Sequence, residues 1–161
     1  MRNKSRINFL CLVVLVISGC YLRRELDRLS MAEQALQQER KQDAIDYYNQ
    51  HIAERLAVTN RPDWENPYFY ELLIGDIELS REDPEAALLA YEKAQNEKVT
   101  EGLVLDRIRL VASWHEKRGE YEKATETLLR YRAKDPLLFD LMLDRIAREQ
   151  TKREDLAKSV K

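Results

Sequence analysis

The chain is poor in the residues on which most protein chemistry depends. Its 161 residues include two cysteines, Cys11 and Cys20, and two histidines, His51 and His115. Neither histidine has a cysteine nearby or a second histidine at helical ligand spacing, so the raw material for a metal centre is missing. No glycine-rich loop is present to cradle a phosphate, and no nucleophile elbow. With 4 glycines and 4 prolines, the chain has too few breakers for a sandwich or barrel that turns every ten residues or so. An excess of one charge sign is also lacking: 27 Lys and Arg face 29 Asp and Glu, a net charge of −2 that advertises no nucleic-acid partner. Acidic neighbours such as Asp140 and Asp144 are expected wherever 35% of residues are charged, and they read as solvated helix faces. These shortages point away from an enzyme and from any cofactor or metal. The length fits one ordinary domain.

The residues that are present begin with an address. Arg2, Lys4 and Arg6 precede an apolar run from Ile7 to Ile17, the layout of a secretory signal. That run is about half of the ~20 residues a spanning helix needs. The four residues Ile17-Ser18-Gly19-Cys20 resemble the lipobox of bacterial lipoproteins, and the resemblance implies cleavage before Cys20 and diacylglycerol on its thiol. Cys11 leaves with residues 1–19. Those residues carry three basic and no acidic side chains, so without them the net charge moves from −2 to −5. Residues 20–25 form a short tether. Tyr21, Leu22, Arg23 and Arg24 span roughly 15 Å when extended, which keeps the helical region close to the bilayer. Arg23, Arg24 and Arg28 read either as contacts to anionic head groups or as ordinary solvated arginines. By the sorting rule of the lipoprotein family, Tyr21 in place of Asp favours the outer membrane, facing the periplasm, over the inner membrane.

From Leu26 onward, apolar residues recur at three and four, and strict alternation is absent. The pattern predicts seven helices and no strand. The first carries Leu26, Leu29, Ala32, Ala35 and Leu36, and the second Ala44, Ile45, Tyr48, Ile52 and Leu56. Asn66-Pro67 opens a third that runs to about Arg81, Asp83-Pro84 a fourth to about Gln95, and Thr100 a fifth through Lys117. A sixth runs from beyond Gly119 to about Lys134. Asp135-Pro136 opens the last.

An internal repeat is visible. The segment Glu82-Asp83-Pro84-Glu85-Ala86-Ala87 through Ala94 aligns with Gly119-Glu120-Tyr121-Glu122-Lys123-Ala124 through Tyr131, pairing Ala87 with Ala124 and Tyr91 with Leu128. Gly75 and Ala112 each lie twelve residues before the matching alanine. Ala32, Ala44 and Tyr48 make a fainter copy that lacks the turn glycine. This pattern resembles the tetratricopeptide repeat. The resemblance implies an all-α solenoid of about three helix pairs over residues 26–136, with repeats near 26–58, 67–99 and 101–135, and then a capping helix and polar tail over 136–161. The spacings of 43 and 37 between the matching alanines exceed the family's 34, and such folds take insertions in loops. His115, beside Trp114, stands where a large aromatic is usual and reads as helix packing.

In that family the first helix of each pair lines a concave groove for protein segments. Carried over by position, the groove takes Phe69, Leu72, Asp76 and Leu79 from the second repeat, and Asp106, Arg109, Ser113, Glu116 and Lys117 from the third. Packing of Phe69 and Leu72 within their own repeat is the alternative, because Glu78 also stands where an aromatic is usual. The last helix is apolar almost all round from Leu137 to Ile146. Leu138, Phe139, Met142 and Leu143 therefore form a candidate second interface, covered by folding back, by a homodimer partner or by another protein; a deeply seated capping helix is the plainer alternative. The expected function is that of a lipid-anchored scaffold or adaptor which binds a protein of the cell envelope. The alternatives are a structural subunit or assembly factor of a secretion, pilus or outer-membrane assembly machine and, with no acid–base site in view, a cell-wall hydrolase.

Overall fold

The computed structural model describes residues 28–159. The signal segment, the lipobox residues Ile17, Ser18 and Gly19, Cys20 and the tether lie outside these residues. Every regular element among the described residues is helical. The chain divides after Tyr70 into two compact units.

The first unit is built on a helix pair, α1 (28–37) and α2 (Lys41–Leu56). Ala32, Ala35 and Ala44 are fully buried, and their small side chains let the two helices approach closely. Arg28 at the start of α1 lies 3.4 Å from Glu54 near the end of α2, so the pair is antiparallel. Ile45, Tyr48 and Ile52 continue the buried face of α2. Beyond it the chain turns back through a 3₁₀ turn, Pro67–Phe69, which places Tyr70 in a stack on Tyr48 at 5.7 Å and under the edge of His51 at 4.6 Å. Asn66 caps that turn by accepting the Tyr68 N–H at 3.1 Å, and Pro67 fills the first position, where a missing donor costs nothing. The sequence pattern places a single helix from Pro67; the chain instead makes the 3₁₀ turn and begins its α-helix at Tyr70.

The second unit comprises α3 (Tyr70–Ser80, from Glu71 onward), α4 (Pro84–Asn96), α5 (Glu101–Lys117), α6 (Tyr121–Tyr131) and α7 (Pro136–Ser159). Its core holds Leu72, Tyr91, Val104, Ile108, Val111, Leu128, Phe139 and Ile146, all essentially inaccessible to solvent. A side chain of this size stabilises the fold by about 1.5–3 kcal/mol when fully buried. Asp83 caps α4 by accepting the Ala86 N–H at 2.9 Å. Thr100, in the N-cap position of α5, makes no such side-chain bond, and its carbonyl alone closes the first turn on Leu103 and Val104. The sixth helix ends at Tyr131 and tightens into a 3₁₀ turn over Arg132–Lys134.

Four helix ends among the described residues share one kind of turn. Glu39, Glu82, Lys98 and Gly119 adopt positive φ of 58°, 66°, 63° and 78°. In each case the next residue donates its N–H to a carbonyl five positions back: Arg40 to Ala35 at 2.8 Å, Asp83 to Glu78 at 3.0 Å, Val99 to Ala94 at 3.0 Å, and Glu120 to His115 at 3.0 Å. This is the Schellman stop, which satisfies a carbonyl left over at the helix end. Those at Glu39, Glu82 and Gly119 stand five residues before Ala44, Ala87 and Ala124, so the spacings of 43 and 37 recur in these three turns, whereas the one at Lys98 joins α4 to α5 and has no such alanine. Within the second unit, ion pairs also join helices two apart. Asp76 of α3 faces Arg107 of α5 at 3.5 Å, Glu92 of α4 meets Arg130 of α6 at 2.7 Å, and Glu116 of α5 meets Arg145 of α7 at 2.5 Å.

Candidate functional site

The buried face of α5 is set by Val104, Leu105, Ile108, Val111, Ala112 and His115. Beside that face runs a stripe of Arg107, Leu110 and Trp114, spaced at three and four. This stripe and the residues Asp76, Leu79 and Ser80 of α3, with Glu82 of the turn after it, line an open groove of about 500 Å³. Both walls belong to the second unit.

The charges around the groove are committed to one another. Asp76 Oδ1 accepts the Tyr91 hydroxyl at 2.8 Å while Oδ2 faces Arg107 Nη2, so one carboxylate ties α3, α4 and α5 together. Burial, with the Asp76 charge beside it, pushes the Tyr91 phenol far above its ordinary range and keeps it a neutral donor. Arg107 Nε is buried without a hydrogen-bond partner among the described residues. Arg118 pairs with Glu82 at 2.6 Å and lies over the Trp114 ring at 4.0 Å, a cation–π contact that holds the indole at the groove's end. Arg81 pairs with Glu78 at 3.0 Å. Apart from Arg107 Nε, the features left over are apolar: Leu110, 54% exposed, and the partly open Trp114.

His115 serves the fold. It is buried, and its Nδ1 lies 2.7 Å from Glu120 Oε2 across the turn into α6. That hydrogen bond, joined by Lys123, holds the Glu120 carboxyl below the usual range.

The residues expected from sequence to form a groove do not all come together. Asp76 and Leu79 line the groove. Phe69 is exposed on the 3₁₀ turn of the first unit, and Leu72 is fully buried in the second. Asp106 is exposed and ion-paired with Arg109. Arg109 also reaches Asp135 at 3.6 Å and lies over Phe139, and Glu116 pairs with Arg145, so both are turned toward α7. Ser113 is half-buried and Lys117 exposed, outside the groove lining. At the last helix, Phe139 is fully buried, Met142 and Leu143 are half-buried, and Leu138 is exposed with its neighbours Leu137 and Leu141. Arg107, Leu110 and Trp114 lie outside the surface that the repeat pattern predicts. The signal for them is the buried stripe 104, 108, 111 and 115, whose complement they are.

Among the described residues no group of His, Cys, Asp and Glu is arranged to hold a metal ion, and no helix is long and apolar enough to cross a membrane. No protein-family model matches the chain, and no curated protein matches it.

Proposed function

We propose that this chain is a lipid-anchored tetratricopeptide scaffold that docks another protein at the bacterial cell envelope, held at the outer membrane with its helices facing the periplasm. It acts by binding and not by catalysis. The reading of the helix pairs as tetratricopeptide-like repeats is supported by the Schellman turns five residues before Ala44, Ala87 and Ala124 and by fully buried alanines at 32, 44, 87, 112 and 124. The reading of an anchor rests on the sequence from Arg2 to Cys20.

The observation that carries the docking function is the α3–α5 groove, where Leu110 and Trp114 stay accessible while the neighbouring charges are paired within the chain. A groove of this kind selects an apolar anchor residue on its partner. Covering the exposed half of a leucine is worth roughly 1–1.5 kcal/mol, so Leu110→Ser is expected to weaken the complex about tenfold. A photocrosslinking residue at Trp114 in cells is expected to capture one discrete envelope protein, and the same probe in a Leu110→Ser background to lose it. If probes at 110 and 114 capture nothing while the protein is intact, the groove is not a docking site. The anchor has its own test: Cys20→Ser is expected to leave the membrane fraction, and an unchanged fraction with normal signal cleavage would refute lipidation.

A further inference from the structure

A second surface lies on the exposed face of α6 and shares no lining residue with the α3–α5 groove. Glu122, Glu126 and Leu129 fall at i, i+4 and i+7 and therefore form one stripe along the helix. Thr125 and Arg130 flank the stripe, and Gln150 of α7 supplies the opposite wall of an open groove of about 700 Å³. Leu129 is 54% exposed, although its neighbour Leu128 is in the core.

The electrostatics here are the reverse of those in the first groove. Neither Glu122 nor Glu126 has a side-chain ion pair or hydrogen bond among the described residues, while the nearby cations are engaged elsewhere. Lys123 points to Glu120 at 3.4 Å, Arg130 Nη2 holds Glu92 at 2.7 Å, and the Arg153 guanidinium lies over the Tyr121 ring at 5.3 Å. Two like charges at i, i+4 cost an isolated helix a few tenths of a kcal/mol; Lys123 and Arg130 on the same helix offset part of this through space, but neither forms a direct pair with Glu122 or Glu126. The face combines an accessible apolar residue with two carboxylates that make no direct ion pair, along two turns of one helix face.

We propose that the α6–α7 groove docks a cationic amphipathic segment of another protein. An apolar side chain of that segment covers Leu129, and Lys or Arg side chains reach Glu126 and Glu122. A helix lying antiparallel to α6 meets all three if it carries an apolar residue with basic residues three and seven positions after it, because the two helices share one rise per residue. Anionic lipid is repelled by the same carboxylates, so the occupant is a basic protein segment and not a bilayer. This surface is independent of the α3–α5 groove and stands or falls separately from it.

The test uses the full chain and a defined probe, an alanine-based helical peptide carrying Leu with Lys three and seven residues after it. Binding is monitored by amide shifts in two-dimensional NMR. Saturable shifts are expected over residues 122–130 and near Gln150, weakening as salt rises. Exposed charge pairs of this kind set affinity modestly, so Glu122→Gln with Glu126→Gln is expected to raise the Kd about three- to thirtyfold. The charge-matched control Glu33→Gln with Glu85→Gln, at exposed positions on other helices, is expected to leave it unchanged. The proposal is overturned by any of four results: no shifts at millimolar peptide, equal binding of a peptide with Glu in place of both lysines, equal loss in the control pair, or self-association of the full chain that disappears in Leu129→Ser. The last would make a second copy of this chain the occupant.

Discussion

Glycine inside a helix is ordinarily a weakness, and replacing Gly75 by alanine is expected to show the opposite. A Cβ built on Gly75 lies 2.7 Å from Tyr91 Cδ1 and Cζ and closer still to Cε1. Tyr91 is fully buried, and its hydroxyl is held by Asp76 at 2.8 Å, so the ring has no open side to retreat into. Alanine gains about 1 kcal/mol over glycine in helix propensity. Against this, forcing an extra carbon into a packed core costs about 1–3 kcal/mol, and shifting the ring far enough to strain its hydrogen bond costs about 1 kcal/mol more. The net expectation for Gly75→Ala is a loss of about 2 kcal/mol, or roughly 8–16 °C in Tm for a unit of this size, read by urea and thermal denaturation. Gly102 is the internal control, since a Cβ there meets nothing within 4 Å and Gly102→Ala is expected to be neutral or stabilising. The cost belongs to one contact, so Gly75→Ala combined with Tyr91→Leu is expected to be no less stable than Tyr91→Leu alone. A Gly75→Ala variant as stable as Gly102→Ala would refute the close approach of α3 and α4.

Two further expectations concern the turns and the acid limb of stability. Glu39 has a φ of 58° in a stop that glycine fits without strain, so Glu39→Gly is expected to stabilise the first helix pair by about 0.5–1 kcal/mol, and Gly119→Ala to destabilise its own pair by about 1 kcal/mol; hydrogen exchange in α2 and in α6 reads the two separately. Glu65 is held below the usual carboxylate range by its hydrogen bond to Arg55, whose Nε lies 2.5 Å from Oε1. A depressed folded pKa adds stability that is complete above the ordinary glutamate pKa, about 4.3, and is lost as pH falls through the folded value. Glu65→Gln is therefore expected to be less stable than the parent at pH 6, with the gap in Tm closing as pH drops below about 4; a gap that stays constant would show that the pair contributes nothing through ionisation.

The helix starts marked by local chemistry are legible in the sequence. Asp83-Pro84 and Asp135-Pro136 announce α4 and α7 because a capping carboxylate and a donor-free first residue act within one turn, and both aspartates accept the expected N–H. The 3₁₀ turn at Pro67 is not legible, since Tyr70 takes its place from stacking on Tyr48, about twenty residues away along the chain. The first helix pair lacks a turn glycine, yet Glu39 adopts the same left-handed stop as Gly119, which leaves no mark in residue type when a side chain bears the strain. At the groove, the repeat pattern finds Asp76 and Leu79, whereas α5 presents Arg107, Leu110 and Trp114 instead of Asp106, Arg109 and Ser113. A rotation of one residue about a helix axis is about 100°, and only the buried stripe of α5 fixes it. Leu72 and Phe139 read as surface candidates because they are large and apolar at expected positions, and they turn out to be core.

The ion pairs that skip one helix govern how the second unit comes apart. If α7 touched α6 alone, it could peel away as a single-layer flap. Because Arg145 holds Glu116 and Asp135 lies beside Arg109, α7 cannot leave without also releasing α5, and α6 in turn is stitched to α4 through Glu92. Each helix is clamped at two depths. The stretch of α7 up to Ile146 should therefore open together with α5, in steps of helix pairs instead of one helix at a time, while the largely exposed residues beyond it lie outside these clamps and fray separately.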